Sequence, residues 1–129
     1  MSDAQLFVDG WSRVWRGSDS DPQLYMELLL EGCPLINPIS PIKREDLPSF
    51  VEALLEMEPD IRVVPTRWAE TDGGVLIEWL NTGTLHGVPF ELRGADRYTL
   101  RDGKGSEGVS YFDPRPFLES EDGDEGDVR

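Results

Sequence analysis

The chain has 129 residues, the length of one domain, which excludes a second folded unit. Its 38% hydrophobic content, with four Trp, five Phe and three Tyr, is enough to fill a core and excludes global disorder. Twelve Lys and Arg against 26 Asp and Glu give a net charge of −14, which repels phosphate backbones and anionic lipid and excludes nucleic acid and membrane surfaces as partners.

The N-terminus, Met1 to Gln5, lacks the basic start and apolar stretch of an export signal, and the longest unbroken apolar run is Leu28-Leu29-Leu30. A cytoplasmic location is expected. Phe7, Trp11, Val14 and Trp15 recur at i, i+4, i+7 and i+8, the face of a helix over residues 3 to 16 that stops at Gly17-Ser18. Asp-Ser-Asp-Pro at 19 to 22 then supplies an N-cap and a first-turn Pro for a second helix, Pro22 to about Leu30. Gly32, Pro34, Pro38 and Pro41 forbid a helix in the next stretch, which reads as extended or looped, anchored by Leu35, Ile36, Ile39 and Ile42. Cys33 and His86 are the single cysteine and histidine, so neither an internal disulfide nor a Cys/His zinc site can form, and Cys33 reads as a small packed residue. Helical spacing returns from Arg44 in Leu47, Phe50, Val51, Leu54 and Leu55 and ends before Pro59.

Beyond Pro59 the chain turns to β-branched and aromatic residues broken by turn signals. Four strands are predicted, at Ile61 to Thr71, Val75 to Thr84, Phe90 to Arg101 and Gly108 to Phe112, joined as a meander. Helices first and antiparallel strands after define an α+β fold with the sheet wrapped on the helices. In the first hairpin, a turn at Gly73-Gly74 sets Trp68 opposite Trp79, whereas looping out all of Asp72-Gly73-Gly74 puts Arg67 there. The hairpin at Asp102-Gly103 leaves open whether Ser110 and Phe112, or Tyr111, share a face with Asp96. Glu119, Glu121, Asp122, Asp124, Glu125 and Asp127 make residues 119 to 129 an acidic tail with nothing to bury, so residues 1 to 118 form the domain and the tail is expected to be disordered.

The sequence resembles the SnoaL-like polyketide cyclase branch of the nuclear transport factor 2-like superfamily over about residues 5 to 118. The resemblance rests on Pro59-Asp60-Ile61-Arg62, Glu78-Trp79, Thr82-Gly83-Thr84 with Gly87, Arg93-Gly94-Ala95-Asp96-Arg97-Tyr98, Asp102-Gly103-Lys104 and Tyr111-Phe112-Asp113-Pro114, in that order. It implies three helices on a curved sheet of about four strands, shaped as a cone whose mouth takes a small, mostly apolar ligand, and a homodimer through the outer sheet face. It also implies acid and base work by an aspartate in the pocket during aldol closure, and the matching position is Asp96. An apolar wall raises a carboxyl pKa toward the working pH, and Trp11, Trp15, Trp79 and Tyr98 are candidates for that wall. The alternative for Asp96 is a structural ion pair with Arg93, Arg97 or Arg101.

His86, ordinarily titrating near neutrality, is the natural second proton carrier, although the family's His stands one residue earlier, where this chain has Leu85. A loop position for His86 is the other reading. The limonene epoxide hydrolase branch carries an Asp-Arg-Asp set, and Trp79, Asn81 and Ser110 occupy those places here, so its hydrolytic chemistry is not expected. Ketosteroid isomerase chemistry needs a Tyr on the first helix, and the nearest Tyr is Tyr25 on the second. The expected ligand-binding set is therefore Trp11, Trp15, Trp68, Trp79, Asn81, Tyr98, Ser110 and Phe112, with no metal and no cofactor. Glu78 is expected on the opposite face from Trp79, at a dimer face or beside an Arg. The two competing functions are a cyclase or isomerase of a small apolar ketone and a module that binds a hydrophobic ligand or protein without chemistry.

Overall fold

The computed structural model describes residues 2 to 119; of the acidic tail expected over residues 119 to 129, Glu119 closes a short helix and the rest lies outside the described residues. Four helices, α1 (Asp3–Trp11), α2 (Pro22–Glu27), α3 (Leu47–Met57) and α4 (Arg115–Glu119), accompany six strands. The strands are β1 (Pro34–Ile36), β2 (Ile42–Lys43), β3 (Arg62–Thr71), β4 (Gly74–Leu85), β5 (Val88–Arg101) and β6 (Lys104–Tyr111). They form one sheet in the order β2-β1-β6-β5-β4-β3.

The α+β class agrees with the sequence reading, but the element counts do not. The Pro-rich stretch read as extended or looped contributes β1 and β2, and β1 runs parallel to β6 through Leu35 opposite Gly108, so the sheet is mixed. Pro34 sits at the first position of its strand, a place that its missing N–H permits.

The helix expected over 3 to 16 starts as read, with the Ser2 hydroxyl accepting from Gln5 N at 3.1 Å, but stops at Trp11. The carbonyl of Val14 is taken by Asp21 N, at the cap of α2, at 2.8 Å and that of Trp15 by Val63 N, on the edge strand β3, at 3.4 Å, so both leave the helical pattern. Val14 and Trp15 stay in the core regardless. In α2 the Asp21 carboxylate caps Leu24 N at 2.9 Å, and the helix ends early because Gly105 on β6 exchanges hydrogen bonds with Leu28 O and Leu30 N.

Neither register expected for the first hairpin occurs. Thr71 pairs with Gly74 around an Asp72-Gly73 turn, and an irregularity between Pro65 and Arg67 sets Pro65 opposite Trp79 and Trp68 opposite Ile77. Gly74 is the first residue of β4, and only glycine fits there because a Cβ would collide with the Tyr98 carbonyl. The hairpins after β4 and β5 turn at His86-Gly87 and Asp102-Gly103, all four residues with positive φ, the conformation that matches the sheet's twist. A second irregularity between Thr99 and Leu100 shifts β6 so that Ser110 faces Asp96, which settles the question left open by the sequence.

One core joins α1, α2 and α3 to the concave face of the sheet through Phe7, Trp11, Leu29, Val51, Ile77 and Tyr98. Cys33 is buried there, and burial pushes its thiol up to about 11, so it stays protonated and packs as a small apolar group.

Candidate functional site

A cavity of about 100 Å³ lies between the concave sheet face and the helices and opens past the half-buried Asn37, Ile39, Ile42 and Phe50. Trp11 and Trp15 reach it from the N-terminal segment, Tyr25 from α2, and Trp79, Asn81, Asp96, Ser110 and Phe112 from the sheet side. The wall is mostly apolar, and Asp96 is its buried carboxyl group, 5% exposed.

The register explains this placement. Ile77, Asp96 and Ser110 form one cross-strand row, and Trp79 stands opposite Gly94 in the next row of the same face. A side chain at Gly94 would overlap the six-membered ring of Trp79, so this glycine lets the indole lie flat across β5. The indole Nε1 thereby donates to Asp96 Oδ1 at 2.9 Å. Tyr98 repeats the device over Gly108, opposite it on β6, and its hydroxyl donates to Asp96 Oδ2 at 2.7 Å. Trp11 Nε1 donates to the Tyr98 hydroxyl at 3.0 Å, and the Tyr25 hydroxyl meets that same oxygen at 2.5 Å.

None of the three arginines considered as partners bonds Asp96. Arg97 instead faces Glu107 at 3.7 Å, while the partners of Asp96 are neutral indole and phenol groups. Burial raises the Asp96 pKa, and the hydrogen bonds from Trp79 and Tyr98, with the nearby polar groups of Ser110 and Trp11, only moderate that rise. Among the described residues the arrangement holds a carboxyl group in an apolar cavity with fixed neutral donors and no cation bonded to it.

Three expected site residues lie elsewhere. His86 is exposed at the β4–β5 turn, with its backbone N–H donating to Met57 O at 3.0 Å, because the tight turn carries it beyond the concave face. Trp68 packs half-buried beside Ile77, outside the cavity lining, as the shifted register of β3 dictates. Tyr98 lies beneath the lining, where its ring packs on Phe7 at 4.7 Å and its hydroxyl positions Asp96. Glu78 points outward as expected, 3.8 Å from Arg67 Nε.

Two functional candidates escaped the sequence reading. Tyr25 was set aside because it lies on the second helix, yet it lines the cavity and touches Tyr98. Glu58, the residue that ends α3, is wholly buried and accepts from Asn81 Nδ2 at 3.2 Å. Among the described residues its Oε2 and the Asn81 Oδ1 have no hydrogen-bond partner, and burial pushes its carboxyl up to about 7, helped by the nearby Asp60. An acidic residue just before Pro59-Asp60 carried no periodic signal of burial. Among the described residues no group of His, Cys, Asp and Glu is arranged to hold a metal.

The SnoaL-like domain model matches residues 7–107. No curated protein matches the chain. Among solved structures, a protein with a ketosteroid isomerase-like fold from Catenulispora acidiphila, in complex with trimethylamine, superposes with a TM-score of 0.72 at 19% identity, over 81% of this chain and 83% of that one. A candidate SnoaL-like polyketide cyclase from Jannaschia gives 0.66 at 21% identity, over 89% and 85% of the two chains. A nuclear transport factor 2-like protein of unknown function from Burkholderia pseudomallei gives 0.80 at 12% identity, over 92% and 97%. At these identities the likeness establishes the fold, which is nuclear transport factor 2-like.

Proposed function

We propose that this chain, which belongs to the SnoaL-like domain family, is an enzyme that admits a small apolar ketone to its cavity and cyclises or isomerises it by proton transfer through Asp96. The observation that carries the reading is a carboxyl group 5% exposed, lining an apolar cavity and held by two neutral donors with no cation beside it. A hydrogen next to a ketone carbonyl leaves as a proton to the Asp96 carboxylate, and the electron pair of the broken C–H bond moves into the enolate. The enolate carbon then attacks a second carbonyl of the same molecule, or is reprotonated at another position. The proton on Asp96 returns to the new alkoxide or to carbon, so the carboxylate is restored and no co-reactant is consumed. The SnoaL-like polyketide cyclase description of the Jannaschia relative agrees with this chemistry.

The test uses 2-indanone as a probe. Quenching of the cavity tryptophans reports its binding, and proton NMR in D2O reports exchange of the hydrogens next to its carbonyl. Asp96→Asn keeps the shape of the site and removes the base, so exchange is expected to fall by about 10² to 10⁴-fold with binding retained. A bound ketone that exchanges no faster than in buffer would identify the cavity as a binding site without chemistry. The reading also includes a homodimer formed through the outer sheet face.

A further inference from the structure

We infer that Tyr25 is the second proton carrier of the cavity, linked to Asp96 through Tyr98, so that the protonation of Asp96 reverses the hydrogen-bonding character that Tyr25 shows to the ligand. The inference rests on the reading of Asp96 as acid and base. A phenolic oxygen has one hydrogen to give and two lone pairs to accept with. The Tyr98 oxygen has three contacts, with Trp11 Nε1 at 3.0 Å, Asp96 Oδ2 at 2.7 Å and the Tyr25 oxygen at 2.5 Å. An indole N–H can only donate, so one of the other two contacts must receive the Tyr98 hydrogen and the other must supply one.

When Asp96 is ionised it can only accept. Tyr98 then donates to Asp96, Tyr25 donates to Tyr98, and Tyr25 shows the cavity lone pairs alone. With a proton on Asp96 Oδ2 the chain runs the other way. Asp96 donates to Tyr98, Tyr98 donates to Tyr25, and the Tyr25 hydrogen is released toward the cavity it lines. Every valence of the Tyr98 oxygen is used in both arrangements, and the heavy atoms need not move.

Enolisation is assisted by this coupling, in which the hydroxyl hydrogens of Tyr98 and Tyr25 rotate as the chain reverses. As Asp96 takes a proton from carbon, the chain frees a donor on Tyr25 just as negative charge develops on the ketone oxygen. If Tyr25 then gives that proton to the oxygen, it regains one from Tyr98, which regains one from Asp96. Each O–H broken is matched by one formed, and the sum is ketone to enol with Asp96 ionised again. Tyr25 touches the ligand and is a catalytic residue in this scheme, whereas Tyr98, outside the lining, is a positioning and relay residue.

The experiment compares Tyr25→Phe and Tyr98→Phe with the unchanged protein and Asp96→Asn in the 2-indanone exchange assay, measuring the saturating rate and the binding constant separately. Both phenylalanine variants keep the packed ring, and near-ultraviolet circular dichroism checks that the core is intact. The expected result is a saturating rate lowered by about 10²-fold in each, with binding within about threefold of the unchanged protein. Because Tyr98 also donates to Asp96, the pH profile of the rate is measured as well: a loss in both variants that persists at the high-pH plateau, where Asp96 is ionised, marks the relay, whereas a loss in Tyr98→Phe alone, with Tyr25→Phe at the full rate, would overturn it. Unchanged rates in Tyr25→Phe or Tyr98→Phe alongside a silent Asp96→Asn would overturn the relay and leave the role of Asp96 standing. Exchange at the full rate in Asp96→Asn would overturn both.

Discussion

The Asp96 carboxyl depends on residues with no polar chemistry of their own. Gly94 lets the Trp79 ring lie over β5, and that contact brings the indole N–H to Asp96. Gly94→Ala is expected to push the ring aside, lower stability by about 1 to 3 kcal/mol as overpacking does, and raise the Asp96 pKa further by removing a donor to its charged form. Denaturant midpoints and the indole N–H resonance of Trp79 check the two effects; an unmoved resonance would contradict the argument. Glu58 gives a second prediction at this scale. Its folded pKa stands at about 7 against an ordinary 4.5, so between those values the folded state holds a proton that the unfolded state has released. Stability from this group is therefore greatest below pH 4.5, falls as pH rises toward 7 and levels off above, by about 3 kcal/mol in all at about 1.4 kcal/mol per pH unit. Glu58→Gln always has an N–H to donate beside the unpartnered Asn81 oxygen. Urea midpoints at pH 5 and pH 8 should differ less in this variant than in the unchanged protein, with a gain of about 2 kcal/mol at pH 8.

At the scale of elements, the hairpins decide which side chains share the cavity. Gly87 has φ of 83° with open space where a Cβ would go, so Gly87→Ala is expected to cost about 1 to 2 kcal/mol from backbone conformation alone. Thermal unfolding measures it, and an unchanged midpoint would mean that the turn relaxes into another type. The order of the helices and long strands was legible because apolar spacing reports it, as in Phe7, Trp11, Val14 and Trp15 or in the alternation along β4. Where those elements stop was not, since Val14 and Trp15 keep helical spacing while the cap of α2 takes the carbonyl of one and the sheet edge that of the other. Register was equally hidden. Three candidate turn residues stand at Asp72-Gly73-Gly74, and the close approach that reserves the first position of β4 for a glycine involves Tyr98, a distant residue. Asp96 was found through the family motif, whereas Tyr25 needed the three-dimensional path through Tyr98, which no spacing encodes.

For the whole molecule, the concave sheet face is committed to the core and the cavity, while the convex face carries half-buried Val64, Leu76 and Leu80 among charged neighbours. The proposed homodimer would cover them. Sedimentation at micromolar concentration is expected to give a species of twice the 14.5 kDa chain mass, and Leu80→Glu to shift it toward the single chain. A single-chain mass for the unchanged protein would contradict the dimer. The net charge of −14 disfavours anionic ligands and agrees with a neutral, apolar occupant for the cavity.

In the proposed chemistry, burial lifts the Asp96 pKa and so makes its carboxylate a stronger base. The most direct measurement is the titration of its side-chain carboxyl by carbon NMR, assigned through Asp96→Asn, with and without 2-indanone. The account predicts a pKa well above the ~3.9 of an exposed aspartate and a carboxyl resonance that shifts when the ketone binds. Titration at or below that ordinary value, with a resonance indifferent to the ketone, would contradict it.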